Sequence, residues 1–351
     1  MSAAAADWVT LAVIALGGLV VPWAAMLLIV PALERSGSGR VKNYCGRDVI
    51  VGLGIVWVVW TVGMMGAGRV LELFDWMLPA GGNQPYSELP MAVPFVLVLG
   101  AFAFGFVDDV FGTPGDRGFR GHVRALWSGR LTTGGLKLLG IGLLAAVSVR
   151  ADSIGQASYE VVVSWALAVL AIALTANLVN LLDLRPGRAL KAYGVAAGAC
   201  ALSLAVAGQT IFGAEVALAL LGPVVAVWRF DLGERAMLGD AGANAMGALL
   251  GWVFASILPP WGLAIYVAIV LALNITSERI SFSRVIERNA ALSWIDGLGR
   301  LSSASGPAGA PAPLPAATTA RPAPDAGDSV LGTPDSVTSA KTSHHPETND
   351  G

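Results

Sequence analysis

Apolar residues run almost unbroken through the first 277 positions, in stretches separated by short polar clusters. Stretches long enough to cross a hydrocarbon layer of roughly 30 Å lie near 8–33, 49–68, 89–107, 131–149, 161–182, 192–209, 211–228, 240–258 and 259–277. In lipid a segment must satisfy its own backbone hydrogen bonds, so each reads as a helix. The pattern predicts an all-α polytopic membrane protein with about nine transmembrane helices. The first run is longer than a signal h-region and has no basic segment before it, so it reads as a retained span.

Beyond this bundle, residues 1–277, the pattern changes twice. Over 278–300, Phe282, Val285, Ile286, Leu292 and Ile295 recur at helical spacing, with Arg279, Arg284, Glu287 and Arg288 between them. This predicts an interfacial amphipathic helix. Its arginines fit either attraction to anionic headgroups or the binding of an anionic ligand. Residues 301–351 are rich in Pro, Ala, Ser and Thr, too poor in apolar surface to fold, and read as a disordered cytoplasmic tail. His344 and His345 fall there and read as solvated.

Composition agrees with a membrane class. Charged residues make up 13% of the chain and hydrophobic residues 55%, with a mean hydropathy of +0.67; a soluble domain carries about 25% charged residues. The net charge of −2 is silent about partners, but its distribution is not. With alternate connections on opposite faces, eighteen Lys and Arg residues from Arg35 to Arg300 fall on one side, and only Arg69 and Arg150 on the other. By the positive-inside rule the N-terminus lies outside a cell membrane and the basic face is cytoplasmic. Cys45 and Cys200 sit where no disulfide is expected.

On that cytoplasmic face four carboxylates converge from three spans. Asp108 and Asp109 end the third span in "GFVDDV", Asp183 ends the fifth in "NLVNLLD", and Asp240 opens the eighth in "LGDAGANAMG". Asp240 could cap a helix start, and Asp183 could mark an exit to water. Asp108 and Asp109 repel each other at a helix C-terminus, where the dipole opposes negative charge. A divalent cation is the economical compensator, since Mg²⁺ takes one or two carboxylates and completes its shell with water and phosphate. Asn177, Asn180 and Asp183 share one helix face, either hydrogen-bonding between spans or lining a ligand cavity. Gly239, Gly242 and Gly247 fit close helix approach or an anion-binding helix start. Lys137, near the start of the fourth span, either snorkels or meets an anion.

Taken in order, "GFVDD", "NLVNLLD" and "LGDAGANAMG" resemble the motifs of the polyprenyl-phosphate N-acetylhexosamine-1-phosphate transferases, glycosyltransferase family 4. "KNYCGRDV", with Asn43, is similar to that family's loop before the second span. The resemblance covers about residues 10–300 and implies transfer of a sugar-1-phosphate from a UDP-sugar to a polyprenyl phosphate, with Mg²⁺ or Mn²⁺ and release of UMP. Its implied partners are the lipid and the nucleotide-sugar, with no nucleic acid and with room for a homodimer. Carried over by motif, Asp240, Asp108 and Asp109 would serve the metal and catalysis. Lys137 would meet phosphate, and Asn43, Asn177, Asn180 and Asp183 would line the substrate. The chain departs from the family in "DLRPGRALK", where Pro186 replaces an aspartate, and in "RFDLGERAM". It also lacks a histidine-rich loop near the C-terminus. Two other classes fit less of the pattern. One is a non-catalytic binder of the lipid carrier; the other is a transporter, which would place its acids nearer the bilayer midplane.

Overall fold

The computed structural model describes residues 3–37, 39–77, 92–112, 121, 124, 125, 127–149 and 159–301. Arg117, Arg120 and the 302–351 part of the expected tail lie outside them. The chain is mostly helical. Helix α1 (Ala3–Ala15) passes through a π-helical turn at Leu16–Val20 into α2 (Val21–Ser36). There follow α3 (Val56–Met77), α4 (Ala92–Phe111), α5 (Thr133–Ser148), α6 (Tyr159–Leu182), α7 (Arg188–Val206) and α8 (Thr210–Leu232). The last elements are α9 (Gly239–Ile257), α10 (Pro260–Ser277), α11 (Phe282–Arg288) and α12 (Ala290–Gly297).

Among the described residues, seven helices are long and apolar enough to cross a membrane: the joined α1–α2 segment, α3, α4, α6, α7, α8 and α10. The chain is therefore a membrane protein. The two other expected spans exist as helices but differ in kind. Helix α5 has only 16 residues, and α9 opens on the polar run Gly239–Asn244, which dilutes its apolar length.

Instead of facing lipid, α9 fills the centre. Residues Ala241–Gly251 are buried without a break. A Cβ on Gly247 would come within 2.5 Å of the Ala176 Cα, so α9 lies backbone to backbone against α6. A Cβ on Gly105 would collide with the Asp240 carbonyl, which brings the end of α4 against the start of α9. Trp57, Trp60, Tyr193 and Phe230 pack around this centre from α3, α7 and α8.

An all-helical expectation omits one feature. Strands β1 (Arg40–Lys42), β2 (Asp48–Val51) and β3 (Ala236–Met237) form a small sheet in the order β1-β2-β3. Strand β1 runs antiparallel to β2, and β2 runs parallel to β3 with Ile50 opposite Ala236 and Val51 opposite Met237. The sheet fixes the connection that feeds α9. Glu34 reinforces it by accepting two hydrogen bonds from Arg235, each 2.8 Å. Cys45 and Cys200 are free.

Candidate active site

Helix α5 begins where the Thr132 side chain accepts the Gly135 N–H at 3.1 Å. This cap starts the helix so that Lys137 falls in its first turns, with its side chain 7% exposed. The Lys137 ammonium donates to Asp108 Oδ2 at 2.8 Å and to Asp240 Oδ2. A cation therefore does sit between two of the expected carboxylates, and it belongs to the protein.

Asp109 faces the other way. Its Oδ1 accepts the Asp240 N–H and its Oδ2 the Ala241 N–H, both at 2.9 Å. The first N–H groups of a helix have no intrahelical partner and carry the positive end of its dipole. Two further aspartates share this start. The Asp183 carboxylate lies near the Gly239 backbone N–H, and that of Asp231 near the Leu238 N–H. Carboxylates from the ends of α4, α6 and α8 thus converge on one helix N-terminus. Gly239 has φ +71, and a Cβ there would lie 2.8 Å from Asp109 Oδ2. The glycine lets the carboxylate reach the backbone.

These contacts revise the expected origin of the aspartate pair. Lys137 offsets Asp108, and the α9 dipole offsets Asp109. Of the two readings of Gly239–Gly242, close helix approach or an anion-binding helix start, the second is met from within the protein: the Asp240 and Ala241 N–H groups are bonded to the Asp109 carboxylate. The negative charge is still in excess: Asp108, Asp109, Asp183, Asp231 and Asp240 gather around one lysine. Asp183 feels the excess directly. Although partly exposed at the surface, its carboxyl is pushed well above the ordinary range, first by desolvation and then by the charges of Asp231, Asp240 and Asp109. The Gly239 N–H offsets only part of this.

The expected polar face of α6 divides. Asn177 donates to Asn274 Oδ1 at 2.6 Å, and Asn274 donates to the Leu174 carbonyl at 3.1 Å and the Val270 carbonyl at 2.7 Å. Asn177 therefore binds α6 to α10. Asn180 accepts the Asp183 N–H through its carbonyl at 3.1 Å and helps close the turn that presents Asp183. Asn43 lies in the β1–β2 connection. Its Oδ1 accepts the N–H groups of Cys45 (2.9 Å) and Arg47 (3.0 Å), and its Nδ2 donates to Glu234 Oε2 at 2.9 Å. Both ends of the Asn43 amide are committed to holding that connection against the turn before β3.

Residues 91–258 match the family model described as glycosyl transferase family 4. That segment, a little under half of the chain, is similar to glycosyl transferase family 4. No curated protein matches the chain. The matched segment contains every carboxylate of the cluster and Lys137, and leaves out Asn43 and the region after 258. The match supports, in general terms, a phospho-sugar transferase acting on polyprenyl phosphate.

Sequence reasoning missed Asp231. It is 3% exposed, sits in the last turn of α8, and accepts the Gly187 N–H through Oδ2 at 2.5 Å. The signal was an acidic residue ending an apolar run nine positions before Asp240, the same arrangement that drew notice at Asp108. Asp231 links the turn after Asp183 to the backbone before Asp240.

Among the described residues, no group of three or more His, Cys, Asp or Glu side chains is arranged to hold a metal ion. The donor set nonetheless fits a hard divalent cation that binds mainly through phosphate and water. Asp108 and Asp240 already face one cation, and such an ion needs only one or two protein carboxylates.

Proposed function

We propose that the chain transfers a sugar-1-phosphate from a UDP-sugar to a polyprenyl phosphate, with Mg²⁺ or Mn²⁺, at the cytoplasmic face of the cell membrane. Undecaprenyl phosphate is the acceptor in this reading, and the products serve cell-envelope glycan synthesis. The observation that carries it is the gathering of Asp108, Asp109, Asp183 and Asp240 around the start of α9, with Lys137 bonded between two of them. The one-sided distribution of Lys and Arg supports the cytoplasmic assignment.

In this reaction an oxygen of the lipid phosphate attacks the phosphorus that carries the sugar. A new P–O–P link forms, the bond to the UMP oxygen breaks, and UMP leaves with that electron pair. Such chemistry needs positioning and charge neutralisation more than covalent help. A divalent cation, when bound, supplies much of the neutralisation; Asp108 and Asp240 are the carboxylates that would hold it. Lys137 keeps those two side chains together and adds positive charge beside the phosphates. Asp109 acts through the backbone by fixing the first turn of α9, from which Asp240 projects. Asp183 and Asn180 stand where the nucleotide-sugar is expected.

The test is UMP release by the purified protein with undecaprenyl phosphate, Mg²⁺ and a panel of UDP-sugars. Release that depends on lipid and is lost both with EDTA and in Asp240→Asn is the expected result. No release from any donor, with lipid binding intact, would overturn the reading in favour of a non-catalytic carrier-binding protein.

A further inference from the structure

Beyond the family segment, residues 278–300 form two short helices, α11 and α12, where one amphipathic helix was expected. The chain breaks at Asn289, whose side chain accepts the Leu292 N–H at 3.1 Å to start α12. These helices are fastened to one place, the turn and helix start that follow Asp183. Arg188 Nε donates to Asp296 Oδ1 at 2.8 Å, its second terminal nitrogen to Asp296 Oδ2 at 3.1 Å, and its first to Ser283 Oγ at 2.8 Å. Lys191 donates to the carbonyls of Ile295 (3.0 Å) and Asp296 (2.7 Å). Arg300 pairs with Asp296 at 2.9 Å and donates to the Pro186 carbonyl at 3.0 Å. Arg185 pairs with Glu287.

The Arg188 and Asp296 side chains are 5% and 7% exposed. Val285, Leu292, Trp294 and Ile295 stay exposed, as on an interfacial helix, while this forked ion pair is buried beneath them. Bidentate pairing fixes orientation as well as distance, and a buried pair is retained where a single geometry matters. The turn is held from the opposite side too, by the Asp231 bond to the Gly187 N–H. Leu232 fills the space beside Gly187 and also approaches Gly299. Arg185, Pro186 and Arg188 are thus gripped by the C-terminal segment, and Pro186 is where this chain leaves the family motif.

We infer that Asp296 is a positioning residue: through Arg188 and Arg300 it fixes the 183–188 turn and so holds Asp183 against the start of α9. Its effect on catalysis rests on the transferase reading; its effect on the turn does not. Asp296 touches no reacting atom, and its role is to limit the orientations that Asp183 samples.

The experiment is hydrogen exchange on the full-length protein in detergent, with UMP release measured in parallel, for Asp296→Asn, Asp296→Glu and Arg300→Gln. Asp296→Asn is expected to raise exchange about tenfold at the amides of Leu184, Arg185, Gly187 and Arg188, a local opening of low stability, while α3 and α10 stay unchanged. The kcat/KM for the donor should fall about tenfold, carried mainly by a raised KM as a substrate-contacting group is misplaced, and Asp296→Glu should restore part of it. Unchanged exchange at those amides in both Asp296→Asn and Arg300→Gln overturns the inference. If Asp296→Asn exchanges faster everywhere, Arg300→Gln decides, since it keeps the Arg188–Asp296 pair. A local rise supports the role and no rise removes it. A local rise in a protein that releases no UMP under any condition upholds the positioning and sinks the transferase reading instead.

Discussion

The Asp109 carboxylate spans the first turn of α9, one oxygen on the Asp240 N–H and the other on the Ala241 N–H, each at 2.9 Å. A pair of adjacent acids at the end of one helix is thereby divided between two tasks. Asp108 meets a lysine side chain, and Asp109 meets the positive end of another helix. The cost of placing both at a C-terminus is offset by neighbours that arrive from α5 and α9.

This division makes Asp109 a stability residue as well as a site residue. Asp109→Ala leaves two helix-start N–H groups without their carboxylate, and losing such a charged cap costs about 1–2 kcal/mol. Asp109→Asn keeps one acceptor oxygen and should cost about half as much. Thermal unfolding in detergent reads the difference. Equal midpoints for wild type and Asp109→Ala would remove the capping role.

Lys137→Met is expected to be harsher. It leaves the Asp108 and Asp240 carboxylates together without their buried cation, a change worth about 3–5 kcal/mol. If a divalent ion binds the same pair, Mg²⁺ should raise the unfolding midpoint of Lys137→Met by more than that of wild type. A midpoint that ignores Mg²⁺ in both proteins would argue against metal binding by this pair.

Asp183 gives a pH dependence whose sign is fixed by its environment. Its folded pKa lies well above the ordinary carboxylate value, from desolvation first and neighbouring aspartates second. The folded state therefore holds this proton more tightly than the unfolded chain does. The associated stability is fully present below the unfolded pKa and is lost as pH rises through the folded one. In metal-free buffer, unfolding midpoints of wild type should fall as pH climbs across that window. Asp183→Asn should flatten this fall and be the more stable protein at neutral pH, while losing transferase activity. A variant that is less stable than wild type at every pH would contradict the sign.

Much of the fold was legible because lipid solvent forces apolar runs into helices. Seven of the expected spans correspond to helices long and apolar enough to cross a membrane, and the other two to the shorter α5 and the buried α9. Asp108, Asp109, Asp183 and Asp240 were legible because acids at the ends of apolar runs have no solvation reason to be there. What could not be read was direction. The sequence places Asp108 and Asp109 side by side, but their side chains diverge towards different partners. Asp231 and Asp296 were hidden for another reason. One looked like an ordinary helix end and the other like the polar face of a surface helix, and their burial comes only from elements distant in the chain. Windowed apolarity likewise could not tell a lipid-facing span from α9, whose small residues serve contact with α4 and α6.

Asn177 separates a structural amide from a substrate-binding one. Its Nδ2 donates to Asn274 Oδ1 at 2.6 Å, and the bond joins α6 to α10. Interhelical hydrogen bonds in membrane proteins are worth about 0.6 kcal/mol on average, with larger cases near 1.7 kcal/mol. Asn177→Ala should therefore lower stability by about 1 kcal/mol, and its effect should be less than additive with that of Asn274→Ala. Asn274 retains its bonds to the Leu174 and Val270 carbonyls, so its own removal should cost more. Donor KM should stay within about twofold in Asn177→Ala, because the amide is spent on α10. Asn180→Ala, one turn nearer Asp183, should raise it about tenfold, the penalty of a lost polar contact to an anionic ligand. Kinetics of both variants with the same UDP-sugar decide the matter. A large KM effect in Asn177→Ala with additive stability losses would return that residue to the substrate wall and leave its bond to Asn274 incidental.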